Sequence, residues 1–379
     1  MVNKKVPNIS IVIPFFNNIQ LTKDCLRNIY QNTSLTSLNY EIIMVDDAST
    51  ESYSFKEYEA LIKCITIVKN EINLGFSKSC NRGAEVANYE YLVFLNNDTI
   101  VLEGWLEGLL SVMNFDKQIG IVGSKLLYPD NTIQHAGVCF DDECMPFHIY
   151  NRLPSSFSGA NKVREFAAVT GACFMIQSKL FKELGGFDEI YLNGIEDIDL
   201  CFKVREAGHK IVYSPDCTLY HLESKTRKKI STKQVKNLAV FKERWGKKIQ
   251  PDYLNYYKED LTEDVFLSDV FLKIKKRTIK ENYVLAVWGA GSDGRHMISF
   301  LDFIEIEPHL FIDSDQKKWG SKIKGFQIYP PQYLLKLKKE GKKVFVVISS
   351  LWHQEIKKSL IEMDFTPDEF FDNSIFGKG

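Results

Sequence analysis

The 379-residue chain has no CxxC pair, although it holds eight cysteines. Cys25, Cys64, Cys80, Cys139, Cys144, Cys173, Cys201 and Cys217 are scattered, and all precede residue 220. That spacing argues against a zinc ribbon or a disulfide framework and predicts buried or incidental thiols in a reducing compartment. An excess of charge is also lacking. The 48 Lys and Arg residues against 49 Asp and Glu leave a formal charge of -1, so no whole-chain field favours nucleic acid as a partner. No apolar run approaches the length of a membrane span, and the opening MVNKKVPNIS carries no hydrophobic signal segment. These absences predict a cytoplasmic protein that meets a membrane, if at all, at its inner face from outside the bilayer.

What is present is an alternation of strands and helices. ISIVIPFF (9–16) reads as a strand, IQLTKDCLRNIYQNT (19–33) as an amphipathic helix, and YEIIMVDDAST (40–50) as a strand running into a turn. FKEYEALIKC (55–64) reads as a helix, ITIVKN as a strand, FSKSCNRGAEVAN as a helix, and YLVFLNNDTIV (91–101) as a buried strand that ends in polar residues. Such an order implies a parallel sheet wrapped by helices. In such sheets ligands sit off the carboxyl ends of the strands. The residues predicted at that edge are Pro14 and Asn17, then Asp46 and Asp47, then Asn73, then Asn97 and Asp98. Their convergence predicts a nucleotide pocket.

IVIPFFNN, VDDAST, NLGFSKSCNRG, LNNDTIVLEGWL, VTGACFMI, LGGFDEIYLNGIEDIDLCFKVREAGHKIVYSP and HLESKT occur in this order. Together they resemble successive motifs of the family 2 glycosyltransferases, over roughly residues 8 to 245. The resemblance implies an α/β fold class with a GT-A nucleotide-sugar-binding domain, a mainly parallel sheet flanked by helices. It implies inverting transfer of a sugar from a UDP- or dTDP-sugar to a hydroxyl of a glycan, lipid-linked saccharide or glycoprotein, in cell-surface polysaccharide or glycoconjugate synthesis. It also implies a divalent cation, Mn2+ or Mg2+. A departing diphosphate needs its developing charge neutralised, and a hard cation on carboxylate oxygen does that.

Carried over residue by residue, Asp98 is the metal carboxylate and His221 the imidazole ligand, a combination that suits manganese more than magnesium. Asp47 stands where a carboxylate accepts a hydrogen bond from the base, and Asp46 supports that turn. Pro14 shapes the first loop, Asn17 contacts the nucleotide, and Asn73 and Gly75 let the backbone approach it. Thr170 and Gly171 line the sugar pocket. Asp197 is the general base, and Glu196, which shares a helical face with Asp199, is its rival. His135 is expected to be structural. The family's Asp-x-Asp is reduced here to Asn96, Asn97 and Asp98. That departure supports an alternative reading as a catalytically decayed nucleotide-sugar-binding scaffold.

The catalytic domain is expected over 1–250, a helical linker over 251–281 and a small Rossmann-like domain over 282–379. The basic stretch 225–248 is a solvated face, a loop over a diphosphate or a patch for anionic lipid. Within it, Val235, Leu238, Ala239 and Trp245 predict the apolar stripe of a docked helix. In the last domain, VWGAGSDGRHMISFL places Gly289-x-Gly291-x-x-Gly294 between strand and helix, with Asp313 about 20 residues further on. This domain reads first as a scaffold for acceptor docking or homo-oligomer assembly, and second as a nucleotide site.

Overall fold

The computed structural model describes residues 8–33, 38–59, 65–191, 193–222, 232–261, 272–350 and 352–372. The chain divides into two compact units, one of Met1–Phe140 with Ala160–Gln250 and one of Asp141–Gly159 with Pro251–Gly379. The expected 1–250 domain is therefore interrupted at 141–159, which groups with the C-terminal residues.

In the first unit, strands β1 (Asn8–Phe15), β2 (Asn39–Asp46), β3 (Ile65–Lys69), β4 (Tyr91–Leu95), β5 (Thr99–Val101), β6 (Ile119–Leu127), β7 (Ile133–His135), β8 (Arg164–Glu165), β9 (Cys173–Gln177) and β10 (Lys210–His221) form one ten-stranded sheet. The order is β8-β10-β6-β9-β4-β1-β2-β3, with β5 on β10 and β7 on β6. The half β4-β1-β2-β3 is wholly parallel, and β9 joins it antiparallel to β4. Helices α1 (Ile19–Asn32), α2 (Phe76–Glu85), α3 (Trp105–Met113), α4 (Ser178–Glu183), α5 (Glu196–Glu206) and α6 (Thr232–Trp245) accompany the strands. The predicted helix at 55–64 is a single turn, Lys56–Glu59, beyond which residues 60–64 are outside the described residues.

Hydrophobic patterning explains the layers. β1, β2 and β4 are buried on both faces, as near-continuous apolar runs require. α1 buries Ile19, Thr22, Cys25, Leu26 and Ile29, a stripe at helical spacing, and this stripe shares a core with Trp105, Leu106 and Leu109 of α3. A separate aromatic cluster joins Phe94, Phe174, Phe181 and Phe187, with ring centroids 4.9 to 6.1 Å apart. Pro14 fits inside a central strand because the β1–β4 ladder ends at Val12 and Phe94, so its missing N–H falls beyond that ladder.

In the second unit, β11 (Val284–Trp288), β12 (Leu310–Ile312), β13 (Lys322–Ile323), β14 (Phe326–Tyr329), β15 (Val344–Ile348) and β16 (Phe370–Asp372) form a sheet in the order β13-β14-β12-β11-β15-β16. All pairs are parallel except β13 with β14. Helices α7 (Tyr253–Leu261), α8 (Ser292–Phe303), α9 (Gln332–Lys339) and α10 (His353–Glu362) belong to this unit. The expected linker thus contributes α7 and the turn Lys276–Lys280, and its residues 262–271 lie outside the described residues. The order of the parallel strands reverses between β11 and β15. That is where open α/β sheets form a ligand crevice.

Candidate functional site

The carboxyl edge of the first sheet is built from loops that hold one another. After β1, Asn17 takes a left-handed φ of 52°, and its Oδ1 accepts the N–H groups of Thr50 and Glu51 at 2.8 and 3.1 Å. Glu51 returns the contact by accepting the N–H groups of Asn18 and Ile19, which closes the N-terminus of α1. After β2, Asp46 accepts the Ser49 N–H at 2.8 Å and the Tyr53 hydroxyl at 2.7 Å. Burial, and then the Asp46 carboxylate, push the Tyr53 phenol far above its ordinary range. Asp47 is buried, and its Oδ1 accepts from Asn70 Nδ2 and the Leu74 N–H while its Oδ2 accepts the Gly75 N–H, all within 2.9 Å. Asn73 Nδ2 donates to the Asp47 carbonyl at 3.3 Å. Gly75, at φ 83°, provides the reversal into α2. In this structure Asp46, Asp47, Asn17 and Asn73 therefore frame the edge by bonding the loops that follow β1, β2 and β3.

The end of β4 is arranged differently. Asn97 turns away, with its Nδ2 donating to Thr22 Oγ1 of α1 at 2.9 Å. Asp98 Oδ1 lies 3.1 Å from His221 Nε2, with both side chains largely buried. The antiparallel pairing of β5 with the end of β10 brings His221 opposite Thr99 and so delivers the imidazole to Asp98. Gln134, on β7, completes the arrangement. Its Oε1 lies 2.7 Å from His221 Nδ1 and its Nε2 donates to the His221 carbonyl at 3.3 Å. The second bond fixes which end of the amide is oxygen, so Nδ1 carries the proton and donates. Asn96 Nδ2 is 3.2 Å from Nε2. An Nε2 lone pair beside a carboxylate oxygen repels it unless a cation lies between them, a proton or a metal ion. The donor set, one imidazole nitrogen and one carboxylate oxygen, fits a divalent transition metal that also accepts ligand oxygens. Among the described residues no group of three His, Cys, Asp or Glu side chains gathers to hold a metal alone.

A third cluster lies at the N-terminus of α5. Asp197 is partly exposed, whereas Glu196 and Asp199 are buried. Asp197 Oδ2 accepts the Gly171 N–H at 2.6 Å and Oδ1 accepts the Ile198 N–H at 2.9 Å. Thr170 donates its N–H to His135 Nε2 at 3.2 Å, and His135 Nδ1 is 2.9 Å from the Ser124 carbonyl, which makes this buried histidine structural. Two residues after Thr170, the Ala172 carbonyl accepts the Asn96 N–H at 2.9 Å. The strand entry at 170–172 thereby ties Asp197 to the end of β4 that carries Asp98.

Asp199 anchors. It accepts from Tyr191, Arg244 and Trp245 at 2.8 to 3.1 Å and pairs with Lys203 at 3.3 Å. Burial, with Asp199 adding to it, holds the Tyr191 phenol far above its ordinary range. The turn into α5 is strained, because the β-branched Ile195 adopts φ 81°. Asn237 of α6 holds that turn, donating to the Gly194 carbonyl at 2.9 Å and the Asn193 carbonyl at 3.3 Å. Here the expected apolar stripe of α6 is corrected. Val235 and Ala239 are exposed, and the buried face is Asn237, Phe241 and Trp245. The helix docks through an amide on bare carbonyls, which a count of apolar residues does not register. Gln134 was missed for a related reason, since its role depends on a strand pairing. The basic loop, with Lys225, Arg227, Lys228 and Lys229, lies outside the described residues, and no described helix is long and apolar enough to cross a membrane.

Comparison with known proteins accords with this architecture. Residues 10–185 match the family model described as glycosyl transferase family 2, and residues 281–370 match that described as C2185-like, N-terminal. The chain is 30% identical over 230 residues to the O-antigen biosynthesis protein RfbC of Myxococcus xanthus, over 59% of this chain and 18% of that protein. It is 27% identical over 235 residues to human polypeptide N-acetylgalactosaminyltransferase 6, over 56% of this chain and 37% of that protein. The chain therefore matches well under half the length of these relatives. A crystal structure of GalNAc-T7 with UDP, GalNAc and Mn2+ is similar in fold, with a TM-score of 0.53 at 17% identity over 81% of this chain and 56% of that one. The first unit has the GT-A architecture, and a second sheet domain follows it.

Proposed function

We propose that the glycosyl transferase family 2 domain matched at residues 10–185, with the strands and helices that complete its sheet, transfers a sugar from a nucleoside diphosphate donor to an acceptor hydroxyl with inversion. The observation that carries this reading is the convergence at one sheet edge of the Asp98–His221 pair and Asp197, bridged by residues 170–172. Asp98 and His221 would hold the cation, with Gln134 orienting the imidazole so that Nε2 faces Asp98. The ion, when bound, neutralises charge that develops on the departing diphosphate. Asp197 takes the proton of the acceptor hydroxyl while that oxygen bonds to the anomeric carbon, and the bond to the diphosphate breaks on the opposite face. The Gly171 and Ile198 N–H groups hold the carboxylate in one orientation for that transfer. Asp47 supports the donor site at one remove by shaping the 73–75 turn on which a nucleotide would lie.

GalNAc-T7, solved with UDP, GalNAc and Mn2+, and the O-antigen protein RfbC support a UDP-type donor, a manganese ion and a role in surface glycan synthesis. The acceptor is a glycan, lipid-linked saccharide or glycoprotein, and the work is done in the cytoplasm at the inner membrane face. We read the C-terminal domain as Rossmann-like, a reading that its parallel strand order supports. Incubation of the full chain with UDP-, dTDP- and GDP-sugars, with Mn2+ or with a chelator, tests the proposal through release of nucleoside diphosphate. Release from at least one donor that stops in chelator is expected. A folded chain that releases nothing from any donor, or releases it equally in chelator, overturns the reading.

A further inference from the structure

The crevice at the strand-order reversal of the second sheet has no part in the chemistry above. It encloses about 660 Å³ and is walled by the 289–291 turn, the 313–315 turn after β12, Ser349 and Ser350 after β15, Trp352 just before α10 and Glu355 in it. Cavities of roughly 300 to 1,000 Å³ at such reversals hold small molecules.

The three glycines of the turn have different reasons to be glycine. A Cβ at Gly289 would stand 1.9 Å from the Ser349 carbonyl oxygen, and one at Gly294 would stand 2.1 Å from the Gly289 carbonyl oxygen. Those two are required by the protein's own packing. Gly291 has φ -102°, and a Cβ there would meet no atom within 4 Å. Nothing in the protein demands glycine at that wall position, whereas a molecule lying against the backbone would. Ser349 is an independent sign. It is 1% exposed, it lines the crevice, and its hydroxyl has no hydrogen-bond partner. A buried hydroxyl left without a partner is costly, and a ligand or a water must supply one.

Charge narrows the ligand. Among the described residues, Asp293, Asp313, Asp315 and Glu355 line the crevice against one cation, Lys318, which already pairs with Asp313 at 2.8 Å. Asp293 stands in the first turn of α8, where the helix end would otherwise attract phosphate. The acidic wall therefore repels a diphosphate and offers acceptors to hydroxyl groups. Both oxygens of Asp313 already accept N–H groups, from Ala290 and Asp315. Asp315, whose Oδ1 accepts the Lys317 N–H at 3.0 Å, and Glu355 are both exposed and offer carboxylate oxygens to a ligand. The Trp352 indole, 68% exposed on the same wall, offers a face to a planar ring.

We propose that this crevice binds a nucleoside whose 5′ substituent is uncharged or cationic, with ribose hydroxyls donating to Asp315 and Glu355 and the base lying on Trp352. The glycine pattern alone would suggest a dinucleotide diphosphate, and the four acids argue against one. The test is calorimetric titration of the full chain in chelator with adenosine, guanosine, cytidine, uridine, S-adenosylmethionine, the matching 5′-diphosphates and NAD. The same titrations into Gly291→Leu isolate the crevice from the donor site of the first unit. At least one nucleoside should bind saturably, its 5′-diphosphate at least about tenfold more weakly at this site. Gly291→Leu should remove nucleoside binding without lowering the melting temperature, and Asp315→Asn with Glu355→Gln should shrink the discrimination against diphosphate. The proposal fails if no nucleoside binds. It fails equally if NAD or a diphosphate binds this site more tightly, or if Gly291→Leu leaves nucleoside binding intact.

Discussion

Both units place an aspartate just after a parallel strand and have it hold a neighbouring glycine-containing turn. In the first unit Asp47 accepts the Leu74 and Gly75 N–H groups; in the second, Asp313 accepts the Ala290 N–H. The sequence reading makes Asp47 a contact to the nucleotide base, and the structure shows both acids holding loops. The first unit also carries the Asp98–His221 pair, 3.1 Å apart and placed by strand pairing and by Gln134. The second unit also has a histidine–carboxylate contact among its described residues, His353 Nδ1 with Asp372 Oδ2 at 3.2 Å, beside Lys357. The two units thus share a loop-holding aspartate, and the proposed metal pair is what distinguishes the first.

The sharpest way to break this contrast is to remove the pair. Asp98→Ala should abolish metal-dependent donor turnover and leave the fold intact, since a strand-end polar side chain rarely carries core stability. Near-normal turnover in Mn2+ would leave the pair without the role given to it. His221→Ala should weaken Mn2+ binding by about tenfold or more, read by electron paramagnetic resonance of the free ion. The next largest effect belongs to the base. Asp197→Asn should lower transfer by at least about a hundredfold with donor binding unchanged, because size and hydrogen-bonding reach are kept while the proton acceptor is lost. A dead Glu196→Gln beside an active Asp197→Asn would move the role to Glu196, although burial of Glu196 and partial exposure of Asp197 favour the present assignment.

Much of this was legible in the chain. The parallel half of the sheet follows from strand-helix alternation, and the polar ends of β1, β2 and β4 do reach one edge. The helix beginning at Glu196 and its division of acids into buried Glu196 and Asp199 and partly exposed Asp197 follow from helical spacing. Less legible was everything that depends on partners distant in sequence. Gln134 meets His221 across 87 positions, and Asn237 holds Gly194 across 43. Neither belongs to a local pattern, so no window of sequence marks them. The grouping of 141–159 with the C-terminal unit escaped for the same reason.

Gln134 offers a finer test, since it is buried and should act on the metal site only through the imidazole. Gln134→Leu keeps approximate volume and removes the acceptor for Nδ1–H, so Mn2+ affinity should fall by about 10- to 100-fold. Gln134→Glu restores an acceptor and should recover most of that loss. If both variants bind Mn2+ equally, the amide only fills space, and the tautomer of His221 is set by something else.

The smallest expected effect concerns how α6 is fastened. Arg244 bridges Asp188 at 2.8 Å and Asp199 at 2.8 Å, so the Asp188 carboxylate helps hold α6 to the loop before α5. Partial burial pushes the Asp188 carboxyl upward, but the Ile190 N–H and the Arg244 guanidinium outweigh it and leave its pKa below the ordinary carboxylate value of 3.8. A group whose folded pKa is depressed contributes stability that is complete above its unfolded pKa and is lost as pH falls through the folded one. The contribution of Asp188 should thus be constant at neutral pH and fade below about pH 4. Asp188→Asn should lower the melting temperature by about 1 to 3 °C at pH 7, the scale of one partly exposed ion pair in a domain of this size. The difference between variant and parent should shrink as pH falls below about 4, because the parent then loses the same charge. A difference that persists undiminished at the lowest pH where both fold would mean that Asp188 acts through its hydrogen bond to the Ile190 N–H, which an asparagine oxygen can keep only in part, and that Arg244 is held by Asp199 alone.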